Sequence, residues 1–412
     1  MKIMPTNKIG ILGFGCVGQG LYDVLQDNQQ LEVARICVRD KNKERKLPAS
    51  AFTFDAQELL QDESLVILTE LISNPEEALV LIRQALEAGK TVVSANKKAV
   101  AENLPELIAL QQKYGSRLLY EAAVCGSIPI LRTLEAYYAD EPMQEVSGIL
   151  NGSSNYILTK LDTEGCSYEE ALRQAQELGF AEADPTLDVA GHDALHKICI
   201  IAAHAFGVLV DVKEVLRFGI AGITAEDIDL AHKLGARIKL VASAKYNVVQ
   251  QLEVQVLPTF VWPDNELYYV QHEFNGVVLE AKYAGSQFLK GRGAGSHPTG
   301  SAVWADVTAA LKGYKYTYPK LKPVKTQLAD DTIQIYLRLD GEKCIPNLRW
   351  QEVVSFGVSL NKVQLVGKIK RSELMQHQAY LEGCDGFVAT LPSGVSLNAF
   401  VQKAIQHEQV TA

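Results

Sequence analysis

"IGILGFGCVGQG", residues 9 to 20, decides the fold. Residues 8 to 12 read as a strand, and Gly13, Gly15 and Gly18 follow it in G-x-G-x-x-G spacing. The first glycine permits a tight turn. The second lets a backbone approach a pyrophosphate, and the third lets helix and strand pack closely. The residues after Gly15 have helical periodicity, so the loop opens a helix whose N-terminus suits an anion. A Gly-rich turn alone is common; strand before and helix after make it a dinucleotide loop.

Working outward, "LEVARICV" (31 to 38) alternates as a second strand, and "SLVILTEL" (64 to 71) is a continuous apolar run suited to burial on both faces. "NPEEALVLIRQALEAG" (74 to 89) reads as a helix and "TVVSANK" (91 to 97) as a strand. "LPELIALQQKYG" (104 to 115) reads as a helix and "RLLYEAAV" (117 to 124) as a strand. This alternation predicts α/β architecture with an N-terminal Rossmann-type, doubly wound parallel sheet. From about residue 130 the pattern changes. Helices are expected at "SYEEALRQAQELG" (167 to 179), around "ALHKICIIAAHAFG" (194 to 207) and at "TAEDIDLAHKLG" (224 to 235). Strands are expected at "IKLVASAKY" (238 to 246) and "LEVQVLPTFV" (252 to 261). That is an α+β region. "YPKLKPVKTQL" (318 to 328) reads as a linker ahead of a small third unit.

The 412 residues carry a net charge of -9 and no run of Lys and Arg, which argues against a nucleic-acid surface. The seven cysteines (16, 37, 125, 166, 199, 344 and 384) are widely spaced, odd in number and without a CxxC. They fit reduced thiols and a cytoplasmic setting, not a disulfide framework or a zinc site. The start of the chain reads as a first strand, not as a signal peptide, and no apolar run is long enough for a bilayer.

Cofactor choice turns on the end of the second strand. Arg39 precedes Asp40 there, and an arginine can pair the 2′-phosphate of NADP. NADP is therefore expected, with NAD also usable. "SANKKAV" (94 to 100) ends a strand at the carboxyl edge where such sheets bind ligands, and it offers Lys97 and Lys98. "GFAEADPTLDVAGHDALHK" (179 to 197) gathers Glu182, Asp184, Asp188, Asp193 and Lys197. Spacing alone leaves two readings of Asp193 and Lys197. One is an ion pair at a helix start; the other is a catalytic pair at a buried site.

The chain resembles the homoserine dehydrogenase family. The resemblance is carried by "GFGCVG", "SANKKAV", "YEAAVCGSIPI", "ILNGSSNYIL", "GFAEADPTLDVAGHDALHK" and "GRGAGSHPTGSAVWAD", in that order across roughly residues 8 to 315. It implies reversible, NAD(P)-dependent interconversion of L-homoserine and L-aspartate 4-semialdehyde, on the route to threonine and methionine. By this resemblance Lys197 is the proton donor and Lys97 lies between substrate and nicotinamide. Glu182 and Asp193 would meet the substrate's α-ammonium, and Asp188 its hydroxyl. The cofactor set would be Gly13, Phe14, Gly15, Val17, Gly18, Arg39, Ser94, Lys97 and Gly293. Main-chain carbonyls at Glu121, Val124, Gly126 and Ile128 would hold a monovalent cation, sodium. Arg292 stands where many members have proline, and Ser153 and Ser154 stand where threonines are usual.

The resemblance further implies three parts: residues 1–128, an NAD(P)-binding domain completed by helix 300–315; residues 129–299, a substrate-binding and dimerisation domain; and residues 326–412, a small α+β, ACT-like domain. In the last part "TIQIYLRL" (332 to 339) reads as a strand, "LRWQEVVSF" (348 to 356) as a helix and "KVQLVGKI" (362 to 369) as a strand. "GFVATLP" (386 to 392) reads as a strand and "SLNAFVQKAIQHE" (396 to 408) as a helix. The small-molecule substrate would be the principal partner of a homodimer or homotetramer, with no membrane or nucleic acid involved. No aspartokinase segment is expected ahead of Gly13. Two other readings compete: a different NAD(P)-dependent oxidoreductase of small carbonyls, and a non-catalytic amino-acid or redox sensor.

Overall fold

A computed structural model describes residues 7–26, 31–322, 327–340, 347–359, 362–384, 386–392 and 394–406. Cys344 lies outside them. The chain forms two compact units. The first comprises Met1–Asp140, Cys199–Leu209 and Gly291–Pro323; the second comprises Glu141–Ile198, Val210–Lys290 and Val324–Ala412.

The first unit alternates β1 (Asn7–Leu12), α1 (Cys16–Leu25), β2 (Leu31–Cys37), β3 (Phe52–Thr53), α2 (Gln57–Gln61), β4 (Leu65–Glu70), α3 (Pro75–Glu87), β5 (Thr91–Ser94), α4 (Lys97–Tyr114) and β6 (Arg117–Leu119). The strands pair in parallel in the order β3-β2-β1-β4-β5-β6. That is the dinucleotide-binding order, with the strand sequence reversing at β1 and β4. Ile9, Ile11, Ile67, Leu68 and Val93 are almost wholly buried, as a sheet covered on both faces requires. The α3 start uses Asn74 as cap with Pro75 at the first helical position. One boundary differs from the sequence reading. α4 begins at Lys97, capped by Asn96, and runs through Pro105. The asparagine cap outweighs the helix-start signal that a proline supplies.

The second unit begins with β7 (Met143–Ile149), α5 (Gly152–Glu164), α6 (Tyr168–Glu177), the short α7 (Thr186–Val189) and α8 (His192–Phe206), of which the stretch to Ile198 belongs to this unit. It continues with β8 (Leu216–Arg217), α9 (Ala225–Lys233), β9 (Arg237–Tyr246), β10 (Leu252–Val261), β11 (Phe274–Ala281) and β12 (Gly285–Arg292). Helix α10 (Ser296–Leu311) lies in the first unit. The chain then adds β13 (Thr332–Asp340), β14 (Trp350–Ser359), β15 (Lys362–Lys370), α11 (Arg371–Gly383), β16 (Phe387–Leu391) and α12 (Leu397–Gln406). One mixed sheet runs β12-β11-β7-β9-β10-β16-β13-β15-β14, with β8 on β10. Thr259 of β10 pairs Thr390 of β16, so the last segment continues the sheet of the preceding one.

"LRWQEVVSF" is not a helix; Trp350–Ser359 is strand β14. Its β-branched residues and a cross-strand ion pair, Lys368 Nζ to Glu352 Oε2 at 2.7 Å, select the extended form. A helix over residues 371–383 follows β15 instead. The element order is therefore β-β-β-α-β-α among the described residues, not the β-α-β-β-α expected of an ACT-like unit. No helix of the described residues is long and apolar enough to cross a membrane.

Candidate active site

The dinucleotide loop has the geometry its spacing demands. Gly13 has φ +97°, and an added Cβ would lie 2.6 Å from the Leu71 carbonyl oxygen. Its N–H donates to the Cys37 carbonyl at 2.9 Å, tying β1 to β2. A Cβ on Gly18 would lie 2.5 Å from the Gly13 carbonyl oxygen. Gly15, by contrast, is exposed and has no heavy atom within 4 Å of where a Cβ would stand. It caps α1, whose first turn carries no acidic residue. This is open room at a helix N-terminus with no opposing charge, which fits a pyrophosphate. Phe14 packs edge-on against Tyr22 and Phe52. Arg39 is 85% exposed beyond β2, 3.8 Å from Glu77, free of any packing that would hold it away from a ligand.

At the carboxyl edge of the same sheet, Ser94 and Glu70 are wholly buried and joined, Ser94 Oγ donating to Glu70 Oε2 at 2.6 Å. Burial pushes the Glu70 carboxyl up to about 7, against the hydrogen bonds from Ser94 and the Ile72 amide. Lys97 is the first residue of α4 and is half-buried. Lys98 turns to Glu76, 3.7 Å away and exposed. The two adjacent lysines thus differ in surroundings.

The loop after β6 is held by Glu121. Its carboxylate accepts the amides of Ile130 (2.6 Å), Leu131 (2.8 Å) and Arg132 (2.8 Å). The Glu121 side chain is thereby engaged, and a cation here would have to be met by main-chain oxygens. Val124, Gly126 and Ile128 carry carbonyls on a tight loop, Gly126 with φ +52°. Oxygen donors of this kind suit a hard, weakly held cation. Among the described residues no cluster of three or more His, Cys, Asp or Glu could hold a metal. The loop abuts the Gly-rich segment before α10. Ser127 N and Oγ each donate to the Arg292 carbonyl at 3.1 Å, and a Cβ on Gly126 would lie 2.7 Å from Gly293. Cys125 is buried, a small packed thiol.

In the second unit the acidic stretch resolves into a cluster around Lys197. Its Nζ lies 2.6 Å from Asp193 Oδ2 and donates to the Leu150 carbonyl at 2.7 Å. Lys197 is 5% exposed and Asp193 3%. Asn151 Nδ2 donates to Asp188 Oδ1 (2.8 Å) and to Asp193 Oδ2 (3.0 Å), while its Oδ1 caps α5 by accepting from Ser154 N (2.7 Å). Asn275 Nδ2 also donates to the Leu150 carbonyl, at 2.9 Å. The result is a buried ammonium paired with the Asp193 carboxylate, which the Asn151 amide ties to that of Asp188. Such a group can give up a proton to a developing alkoxide, or take one from an alcohol. Glu182 is exposed, with its carbonyl accepting from Gln176, and Asp184 caps the turn into α7 through Thr186. Neither joins the Asn151 cluster. His204, further along α8, lies in the first unit, where it pairs Glu135 (2.7 Å) and Tyr120 (2.9 Å).

Asn151 and Asn275 escape sequence reasoning. Asn151 precedes "GSSN" and has the look of a helix cap, which it is; nothing local signals its second contact, to carboxylates 37 and 42 residues away. Asn275 sits in an apolar strand without any marker.

Three comparisons bear on this geometry. A family model described as "Homoserine dehydrogenase, NAD binding domain" matches residues 13–121, and one described as "Homoserine dehydrogenase" matches residues 129–308. A homoserine dehydrogenase of Bacillus subtilis is 35% identical over 354 residues, 82% of each chain. One of Synechocystis is 40% identical, covering 73% of this chain and 72% of its own. The crystal structure of a homoserine dehydrogenase from Thiobacillus denitrificans matches with TM-score 0.80 at 29% identity, over 94% of this chain and 98% of that one. A hyperthermophilic archaeal homoserine dehydrogenase in complex with NADPH matches with TM-score 0.64 at 26% identity, over 76% and 99%. With its nicotinamide-cofactor loop and buried lysine–carboxylate cluster, this chain belongs to the homoserine dehydrogenase family.

Proposed function

We propose that Lys197 is the proton donor and acceptor in the family's reaction, the NAD(P)-dependent interconversion of L-homoserine and L-aspartate 4-semialdehyde. The observation that carries this is the buried Lys197 ammonium, 2.6 Å from Asp193 and bonded to the Leu150 carbonyl. When bound, the nicotinamide gives or takes the hydride. Reduction of the aldehyde builds negative charge on its oxygen. Lys197 stabilises that charge and delivers the proton; in the oxidation it takes the hydroxyl proton. Asp193 holds the ammonium in place. Asp188, on the other side of the Asn151 amide, is assigned to the substrate hydroxyl, and Glu182 with Asp193 to its α-ammonium. Lys97 is assigned, as the family resemblance implies, to a place between substrate and nicotinamide.

Cofactor contacts are assigned to Gly13, Phe14, Gly15, Val17, Gly18, Ser94 and Gly293, with Arg39 on the 2′-phosphate of NADP. The exposed guanidinium beyond β2 and the NADPH named for the archaeal neighbour support that choice. A monovalent cation is assigned to carbonyls of Glu121, Val124, Gly126 and Ile128. Residues 1–128 with the α10 helix are the cofactor part, residues 129–299 the substrate and dimerisation part, and residues 326–412 a third part. The working form is a cytoplasmic homodimer or homotetramer. Steady-state assay of the purified chain with L-homoserine and NADP+ or NAD+ tests the reading. Turnover that requires the substrate's α-amino group is expected; oxidation of simple alcohols at equal efficiency would reject it.

A further inference from the structure

The ends of β4 and β5 are joined by a closed ring of hydrogen bonds that the roles above do not use. Glu70, the last residue of β4, is 0% exposed. Its Oε1 accepts from Ile72 N at 2.7 Å and its Oε2 from Ser94 Oγ at 2.6 Å. Ser94 Oγ in turn accepts from Asn96 N at 3.0 Å. Asn96 Nδ2 donates to the Ile72 carbonyl at 3.0 Å, which closes the ring. The remaining Asn96 atom, Oδ1, caps α4 by accepting from Ala99 N at 3.1 Å. Lys97 is the next residue after that cap.

Burying a carboxylate is costly unless its hydrogen bonds are made. A strand end in need of packing alone would be served by an apolar side chain. A carboxylate here does something an apolar group cannot: it accepts one donor from the β4 loop and one from the β5 turn. The turn that launches α4 is therefore set from beneath by Glu70, and the direction in which Lys97 leaves the backbone is set with it. While the ring is closed the Ser94 hydroxyl is donated inward, so the cofactor contact assigned to Ser94 would use its backbone.

We propose that Glu70 is a positioning residue, whose buried carboxylate fixes the Ser94–Lys97 turn and so places Lys97 for the reaction. This rests on the reading that Lys97 takes part in turnover. A residue that places a catalytic group acts on kcat through that group alone, and becomes irrelevant once the group is gone.

The test uses four full-length variants: Glu70→Ala, Glu70→Gln, Lys97→Met and the double variant Glu70→Ala with Lys97→Met. Glu70→Ala should lower kcat on the order of 100-fold, the effect of a small misplacement at a reacting centre, with KM for homoserine within about threefold. Glu70→Gln keeps an acceptor for the Ile72 amide and should recover about tenfold of that loss. In the Lys97→Met background, removing Glu70 should cause no further loss. Should Glu70→Ala not fold, Glu70→Gln is read the same way: a roughly tenfold kcat loss that vanishes in the Lys97→Met background. Losses that multiply in the double variant, or a change in KM alone, would overturn the proposal. So would full activity of the Glu70 variants when Lys97→Met is dead. If Lys97→Met is itself fully active, the assignment of Lys97 falls, and the role of Glu70 with it.

Discussion

Lys197 Nζ lies 2.6 Å from Asp193 Oδ2, one helical turn earlier on α8, and both side chains are buried. A pair in that position is not the solvated i, i+4 contact worth a few tenths of a kcal/mol. Removing one member leaves the other charged and buried. Asp193→Ala is expected to destabilise the fold by about 3–5 kcal/mol, whereas Asp193→Asn, which keeps an acceptor, should cost less. Urea unfolding of both variants checks this, and a loss below about 1 kcal/mol for the alanine would mean that the pair is effectively solvated.

Arg39 and the dinucleotide loop make separable predictions. Arg39→Ala should weaken NADPH more than NADH, because only NADP carries the phosphate that a guanidinium would pair. Dissociation constants for the two cofactors measure it; equal weakening would remove Arg39 from the 2′-phosphate. Gly13→Ala puts a Cβ at φ +97° and 2.6 Å from the Leu71 carbonyl, so both cofactors should weaken and stability should fall.

Glu182 is a sharper case, since it stands exposed and outside the Asn151 cluster. If it meets the substrate's α-ammonium, Glu182→Ala should raise KM for homoserine while leaving kcat within about threefold. An unchanged KM would leave the ammonium to Asp193.

The raised carboxyl of Glu70 has a pH signature. The folded protein holds a proton at about 7 that the unfolded chain releases near 4.5. That contribution is complete at low pH and is lost as pH rises through the folded value. Relative to the parent, Glu70→Gln should therefore gain stability from about pH 5 to about pH 7, by at most ~1.4 kcal/mol per unit. Paired urea titrations across that range test it, and a constant difference would show that Glu70 is ionised throughout.

Much of this was legible in the residues, for definite reasons. Gly13 and Gly18 announce the loop because only glycine meets the positive φ of the first and the close backbone approaches at both, while Gly15 leaves open room between them. Asp193 and Lys197 are visible as an i, i+4 pair, but the apolar run after them is what marks the pair as buried. Asn151 and Asn275 were not visible, because their partners lie far away in sequence and an amide carries no pattern. "LRWQEVVSF" misleads since its apolar residues Leu348, Trp350, Val353, Val354 and Phe356 fit either period over so short a stretch; its partner strand β15 decides it, and pairing is non-local. Glu70 is likewise silent, one acid at the end of an apolar strand.

The central claim is that Lys197 moves the proton. Its most direct test is steady-state homoserine oxidation by Lys197→Ala, with NADPH affinity measured on the same protein. The expected result is a kcat lower by about 100-fold or more, with NADPH affinity retained. Near-normal turnover in that variant would contradict it.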